Sequence, residues 1–363
     1  MTPLLFQPIE LRDMTLLNRV VLPPMTQYSA KEGVASDWHL MHFGQFSVGG
    51  YGMVFTESTY VEAHARNHPD CLALYSDAHE AGLRKVIAFV HENSDAKFCV
   101  QLCHAGRKAA HKPHWDGGGP LEGDDRFPTY APSAIALKEG FPVPLEMSTG
   151  DIQAAIESFQ AAAIRADAAG ADCIELHGAH GYLVHQFLSP LSNQRTDRYG
   201  GSLENRMRFG LELFEAVRGV WPEAKPMGVR ISATDWVDGG WDVDGSIAFA
   251  KALEALGCDY LHVSSGGNSP LQKIEPGPGY QTVFANAIRA EVAMKVITVG
   301  QIVSPHQAET MLRLGAADIV AIARQSLFNP RWPWHAAKEL GVDLVYPKQY
   351  EKAHPTLWRG TMP

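Results

Sequence analysis

The chain is poor in cysteine, in long apolar runs and in positive charge, and each shortage excludes a class of protein. Its five cysteines among 363 residues are Cys71, Cys99, Cys103, Cys173 and Cys258, scattered and without a C-x2-C pair. That spacing argues against a disulfide framework, a structural zinc site or an iron–sulfur cluster, and no metal is expected. No apolar run approaches the roughly 20 residues that cross a bilayer. The opening MTPLLFQPIELRD has no basic segment followed by an apolar one, so it is not read as a signal peptide. The expectation is a soluble, cytoplasmic protein with no membrane partner. Lysine and arginine number 31 against 40 acidic residues, a net charge of −9. Nucleic-acid phosphates are bound by basic surfaces, so no nucleic-acid partner is expected either.

What is present is an alternation. Short apolar runs at 19–25, 51–57, 97–103, 172–177, 226–232, 258–264, 296–300 and 318–323 read as strands, and a helical pattern follows each. The clearest helix starts near Thr149: Ile152, Ile156, Phe159, Ala163 and Ala166 share one face and Gly170 stops it. Leu203, Met207, Leu211, Phe214 and Val217 form a second such face, ended by Pro222. Weaker helical patterns run near 37–48, 80–93, 244–256, 281–294, 305–314 and 333–340. Eight strand–helix units in series imply parallel strands, and eight is the number that closes a barrel. No G-x-G-x-x-G follows the first strand, which argues against an open doubly wound sheet. The fold class expected is α/β, a single-domain (β/α)8 TIM barrel over 1–342, with a C-terminal tail over 343–363.

The connection 104–147, after the third strand, is a cap over the C-terminal end of the barrel, where this fold builds active sites. The tail carries Tyr346, Tyr350, Trp358 and Arg359, aromatics and charge that imply docking, at a subunit interface or an active site.

Period-two alternation assigns faces. In the fourth strand Ile174 and Leu176 oppose Cys173, Glu175 and His177; in the fifth, Val229 and Ile231 oppose Arg230; in the third, Val100 and Leu102 oppose Gln101. With the apolar faces against helices, Gln101, His177 and Arg230 point into the barrel, where they need partners, and a polar ligand would supply them. The segment ELHGAHGYLVHQFLSP crowds His177, His180 and Tyr182 together. Three readings stay open on spacing alone: hydrogen-bonded core and loop residues, a metal site that lacks any nearby carboxylate but Glu175, or a site that polarises a substrate oxygen while Tyr182 supplies a proton. Gly300 and Arg324, after the last two strands, read either as a phosphate site or as a turn and a surface ion pair. Lys97, Lys225 and Lys295 precede strands, on the wrong face for a Schiff-base aldolase.

Several motifs occur in the order found in one family. LLNRVVLPPMTQYSA (16–30), HAGRKA (104–109), HGAHGYLVHQFLSPLSNQRTDRYGGSLENRMRF (177–209), VGQI and IARQSLFNP (322–330) together make the chain resemble the Old Yellow Enzyme family of FMN-dependent ene-reductases, in its thermophilic-like, xenobiotic-reductase branch. The resemblance implies FMN bound without a covalent link, NADPH or NADH as hydride donor, small enone or nitro substrates, and a homodimer or homotetramer. It implies that Pro23, Pro24, Met25 and Thr26 pack on the flavin, that Ser58 and Gln101 meet its pyrimidine edge, and that Arg230 sits beside N1 and O2. Gly300, Ala323 and Arg324 would hold the phosphate. His177 and His180 would bind the substrate oxygen, Tyr28 would line the pocket, and Tyr182 would donate the proton. The branch usually carries Cys where this chain has Thr26, and often Ala at Ser58, so its redox potential transfers poorly. It also lets tail residues of a neighbouring subunit reach the active site, a role open to Trp358 or Arg359; intrachain packing is the alternative for the tryptophan. The competing function from another class is a metal-dependent hydrolase built on His177 and His180. A dienoyl-CoA reductase is set aside by the cysteine spacing and the chain length, and a non-turning flavin-storage protein by the convergence of Tyr182 with the two histidines.

Overall fold

A computed structural model describes residues 2–123 and 126–358. All eight anticipated strands are present: β1 (Val20–Leu22), β2 (Met53–Phe55), β3 (Lys97–Cys103), β4 (Cys173–Gly178), β5 (Met227–Ser232), β6 (Tyr260–Ser264), β7 (Lys295–Thr298) and β8 (Ile319–Ala321). They pair in parallel in the order β2-β1-β8-β7-β6-β5-β4-β3, and β3 pairs back to β2, so the sheet closes into a barrel. A closed sheet has no edge to protect.

The alternation splits the interior in two. Val100, Leu102, Ile174, Leu176, Val229 and Ile231 belong to the outer core that the helices cover. Cys99, Cys173, Tyr260, Val21, Met53, Phe55, Ile297 and Ile319 fill the barrel itself. Tyr260 needs room there: Gly228 sits beside it in register, and a Cβ at that glycine would lie 2.3 Å from the phenol ring. A hairpin not anticipated from the sequence, Ile9–Leu11 with Met14–Leu16, joins this inner cluster and plugs the N-terminal end. Arg12 pins it through an ion pair of 2.7 Å to Asp259, just before β6.

The surrounding helices include Asp37–Ser47, Asp77–Asn93, Thr149–Ala169, Leu203–Val220, Val243–Ala255, Pro305–Arg313 and Trp332–Glu339. Thr149–Ala169 opens on a capping box between Ser148 and Asp151 and ends at Gly170, whose φ is 96°. The pattern expected over 281–294 is shorter, Thr282–Arg289. Glu254 accepts the N–H groups of Ala293 and Met294 at 2.6 and 2.7 Å, which turns those residues out of the helix and into β7. The 104–147 connection is not structureless: it carries the short parallel ladder Tyr130–Ala131 with Leu145–Glu146 and a bridge between His111 and Pro120.

The tail docks on its own chain over the part described. Tyr346 stacks on Trp334 with centroids 3.9 Å apart, and the Arg331 guanidinium lies over both Trp334 and Tyr350. Trp358 is about half exposed, and Arg359 lies outside the described residues. Among the described residues no helix is long and apolar enough to cross a membrane.

Candidate active site at the barrel mouth

Register builds the floor of the site. Gln101 on β3 lies opposite Glu175 on β4, and Arg230 on β5 lies between His177 on β4 and His262 on β6. Glu175 is fully buried and accepts from Gln101 Nε2 at 2.7 Å and from His262 Nδ1 at 3.1 Å. Ser58 Oγ donates to Gln101 Oε1 at 3.3 Å, so these two predicted neighbours do meet. Arg230 is different: it is buried, and its Nε has no partner among the described residues. Glu175 lies close enough to favour its charge, while burial lowers its pKa. An orphaned buried guanidinium costs several kcal/mol unless a ligand satisfies it.

A cavity of about 520 Å³ opens beside Arg230, bounded by Tyr280, Gly300, Gln301, Ala323 and Arg324. Gly300 has a φ of 134°, a conformation L side chains avoid, and an added Cβ would press on the Gln281 amide at 3.0 Å. Arg324, with no carboxylate partner among the described residues, lines the cavity together with Gly300 and Ala323, and a guanidinium so placed suits a phosphate. The unpartnered Arg230 at the other end suits an acceptor-rich ring edge. FMN has both, so the residues present fit it.

Above the floor, His180 is held on every side. It adopts a φ of 55°, its N–H bonds Ser232 Oγ at 2.9 Å, its Nε2 lies 2.7 Å from Ser264 Oγ, and its carbonyl accepts from Lys108 Nζ at 2.8 Å. Lys108 also bonds the Gly267 carbonyl at 3.0 Å. Gly181 follows with a φ of 71°, where a Cβ would meet the Gly267 carbonyl at 2.4 Å. Two imidazoles and a phenol meet there: the His177 ring is 5.2 Å from His180 and 4.7 Å from Tyr182, centroid to centroid, both edge-on. His177 Nδ1 accepts the Ala179 N–H at 3.2 Å, so its Nε2 carries the proton. The Tyr182 oxygen accepts from Asn67 Nδ2 at 2.5 Å, and Lys108 Nζ stands 5.3 Å from its ring centre. Tyr28, with a φ of 49°, packs on the same small cluster as Tyr182 and meets Trp115 edge-on at 5.3 Å.

Burial dominates the titration of this shell. It lowers His177 and His180 well below the usual imidazole range, and the nearby Arg230 pushes the same way. His262 falls to about 4 for the same two reasons. Burial and Arg107 bring Lys108 down to about 8, and burial raises the Tyr182 phenol above its ordinary value and Tyr28 to about 12. The site holds neutral imidazoles and neutral phenols beside fixed cations, an arrangement that donates hydrogen bonds and stabilises developing negative charge.

Pro23 is buried and Pro24, Met25 and Thr26 half-buried as the chain leaves β1, and Glu57 accepts the next N–H, that of Gln27, at 2.9 Å. Sequence reasoning missed Glu175 as a partner, and Asn67, Lys108 and Ser264 altogether. Lys108 had a signal, since HAGRKA follows β3 and so lies on the mouth side. Among the described residues neither His177 nor His180 bonds a carboxylate, and the one group of metal-capable side chains there is Glu62, His64 and His104. There His104 Nδ1 accepts the Gly106 N–H, which leaves a proton on Nε2, 2.8 Å from Glu62, so the cluster is hydrogen-bonded rather than open to a cation.

Comparison with known proteins gives the family and the fold. Residues 4–343 match the model of the NADH:flavin oxidoreductase / NADH oxidase family. A protein of Geobacillus sp. (strain WCH70) named NADPH dehydrogenase is 44% identical over 99% of this chain and 100% of its own length. Morphinone reductase superposes with a TM-score of 0.79 at 28% identity, covering 95% of this chain and 91% of its own. A 2-naphthoyl-CoA reductase complex shares the fold with a TM-score of 0.84 at 24% identity, and the match spans 52% of that longer chain.

Proposed function

The chain belongs to the NADH:flavin oxidoreductase / NADH oxidase family, the Old Yellow Enzyme family its motifs resemble, and from that premise we propose that it reduces the activated C=C bond of α,β-unsaturated carbonyl and nitro compounds. It is an FMN-dependent oxidoreductase that draws on NAD(P)H. When bound, FMN supplies the store that takes hydride from the nicotinamide and passes it to Cβ of the alkene. Pro23, Pro24, Met25, Thr26, Ser58, Gln101 and Arg230 would hold its ring, and Gly300, Ala323 and Arg324 its phosphate.

The protein's own contribution is polar preorganisation. His177 presents Nε2–H, and with His180 it binds the substrate oxygen and stabilises the enolate charge that develops there. One such donor is typically worth about 3 kcal/mol. Tyr28 and the cap close the pocket against water. Tyr182 delivers its proton to Cα, and the Asn67 amide and the Lys108 cation stabilise the phenolate left behind. Solvent restores that proton. Over a cycle one NAD(P)H and one proton add two hydrogens across the double bond.

The observation that carries this reading is the placing of the His177 imidazole between a second neutral imidazole, His180, at 5.2 Å and a hydrogen-bonded phenol, Tyr182, at 4.7 Å, beside a buried arginine whose Nε has no partner among the described residues. The test is product analysis under anaerobic conditions with NADPH and 2-cyclohexenone. Cyclohexanone formed mole for mole with NADPH consumed supports it; NADPH oxidation that leaves the enone intact refutes it.

A further inference from the structure

His180 is neutral and asymmetric, so its usefulness to a substrate oxygen depends on which ring nitrogen carries the proton. Nε2 lies 2.7 Å from Ser264 Oγ, and no bond of Nδ1 is seen among the described residues. Ser264 is buried at the end of β6, in register with Ser232, whose hydroxyl oxygen takes the His180 N–H. Two serines on adjacent strands therefore clamp one residue in a backbone conformation that side chains seldom adopt.

The next group along fixes the direction of the bonds. Gln281 Nε2 donates to the Val299 carbonyl at 2.9 Å, which turns Oε1 toward the two serines as an acceptor. Ser265 Oγ already donates to that oxygen at 2.6 Å, whereas Ser264 is 3.3 Å from it. A hydroxyl has one proton to give, and O–H donors prefer acceptors near 2.7–2.8 Å. Ser264 therefore has a close acceptor in the imidazole and a distant, already served one in the amide.

We infer that Ser264 is a positioning residue that sets the tautomer of His180, donating its proton to Nε2 so that the ring presents Nδ1–H to the substrate pocket. The inference rests on the proposed role of His180 as a donor to the substrate oxygen. With His177 locked as the Nε2–H tautomer by the Ala179 amide, the pair then offers two donors and no lone pair to an incoming oxyanion. The reverse setting, Nε2–H donating to Ser264 and Ser264 to Gln281, would leave a bare lone pair facing that oxygen.

The experiment is nitrogen-15 NMR of the histidine-labelled holoenzyme, with His180 assigned from its absence in His180→Asn, together with steady-state kinetics on 2-cyclohexenone. The native protein is expected to carry the His180 proton on Nδ1. Ser264→Ala should move it to Nε2 and lower kcat/KM for the enone at least about tenfold, with the loss in kcat as well as in KM, because the donor that is lost also stabilises the developing enolate charge. Ser264→Thr keeps a hydroxyl and should restore both readouts. A native proton on Nε2, or a tautomer and kcat/KM indifferent to Ser264→Ala, overturns the inference. Should the native enzyme fail to reduce the enone, the alkene reading falls, and the nitrogen spectra still decide the tautomer.

Discussion

The Asn67 amide donates to the hydroxyl oxygen of Tyr182 at 2.5 Å, joining a loop after β2 to the turn after β4. Because that oxygen already accepts a bond, its own proton points elsewhere, and the phenolate left after proton transfer keeps a donor. General acids of this kind contribute about 10²–10⁴-fold. Tyr182→Phe should therefore slow alkene reduction by at least about a hundredfold while sparing reduction of the flavin by NADPH, as followed by anaerobic stopped-flow. Asn67→Leu should slow the same step by about tenfold, since one hydrogen bond to a developing anion is lost. Equal losses in both half-reactions for Tyr182→Phe would remove it from the proton-donor role.

Arg230 predicts a cofactor effect. Its Nε has no partner among the described residues, so the ligand that supplies one gains much of its affinity there. Arg230→Met should weaken FMN binding by a hundredfold or more, since bonds to a charged group are worth about 1.5–3 kcal/mol each. Ultrafiltration and flavin fluorescence measure it. The native protein should also melt lower once FMN is removed, because a ligand that binds only the folded state stabilises it by mass action.

Acid should destabilise the protein earlier than its carboxylates alone would dictate. His42 and His262 are lowered to about 4, and His177 and His180 well below the usual value, each chiefly by burial. Below pH 6.5 the unfolded chain binds protons at these histidines that the folded chain refuses, so stability falls as pH falls through that range. Each such histidine contributes up to about 1.4 kcal/mol per pH unit. Thermal unfolding between pH 7 and 5 should show a falling Tm, with a shallower fall in His262→Gln. A Tm independent of pH over that range would contradict the burial assigned here.

Lys108 predicts the alkaline limb. Burial brings its pKa down to about 8, and above that pH the cation near Tyr182 and over the His180 carbonyl is lost. Alkene reduction should therefore fall as pH rises through about 8, and Lys108→Met should be slow at all pH values with that limb gone. A pH profile of the enone half-reaction distinguishes this from a merely structural lysine, whose variant would keep the limb.

Much of this was legible in the sequence, for definable reasons. Period-two alternation separated Gln101, His177 and Arg230 from Val100, Leu176 and Val229, and the barrel keeps that division. The helix from Thr149 was readable because its cap, its face and its closing glycine agree. The hairpin at 9–16 was not, because two three-residue strands leave no periodicity to see. Asn67 and Ser264 were invisible for another reason: one sits in a loop 115 residues from Tyr182, the other ends a strand 84 residues from His180, and neither distance leaves a pattern along the chain. Lys108 differs from Lys97, Lys225 and Lys295 in following a strand rather than preceding one, and the side facing the chemistry is the one after the strands.

The measurement that tests the account most directly is the absorption spectrum of the purified protein under anaerobic conditions, first with NADPH and then with 2-cyclohexenone. The account predicts a flavin band that bleaches with one equivalent of NADPH and returns with one equivalent of the enone. A colourless protein that takes up no FMN would contradict the assignments of Thr26, Gln101, Arg230 and Arg324 together, and a bleached band that the enone fails to restore would contradict alkene reduction.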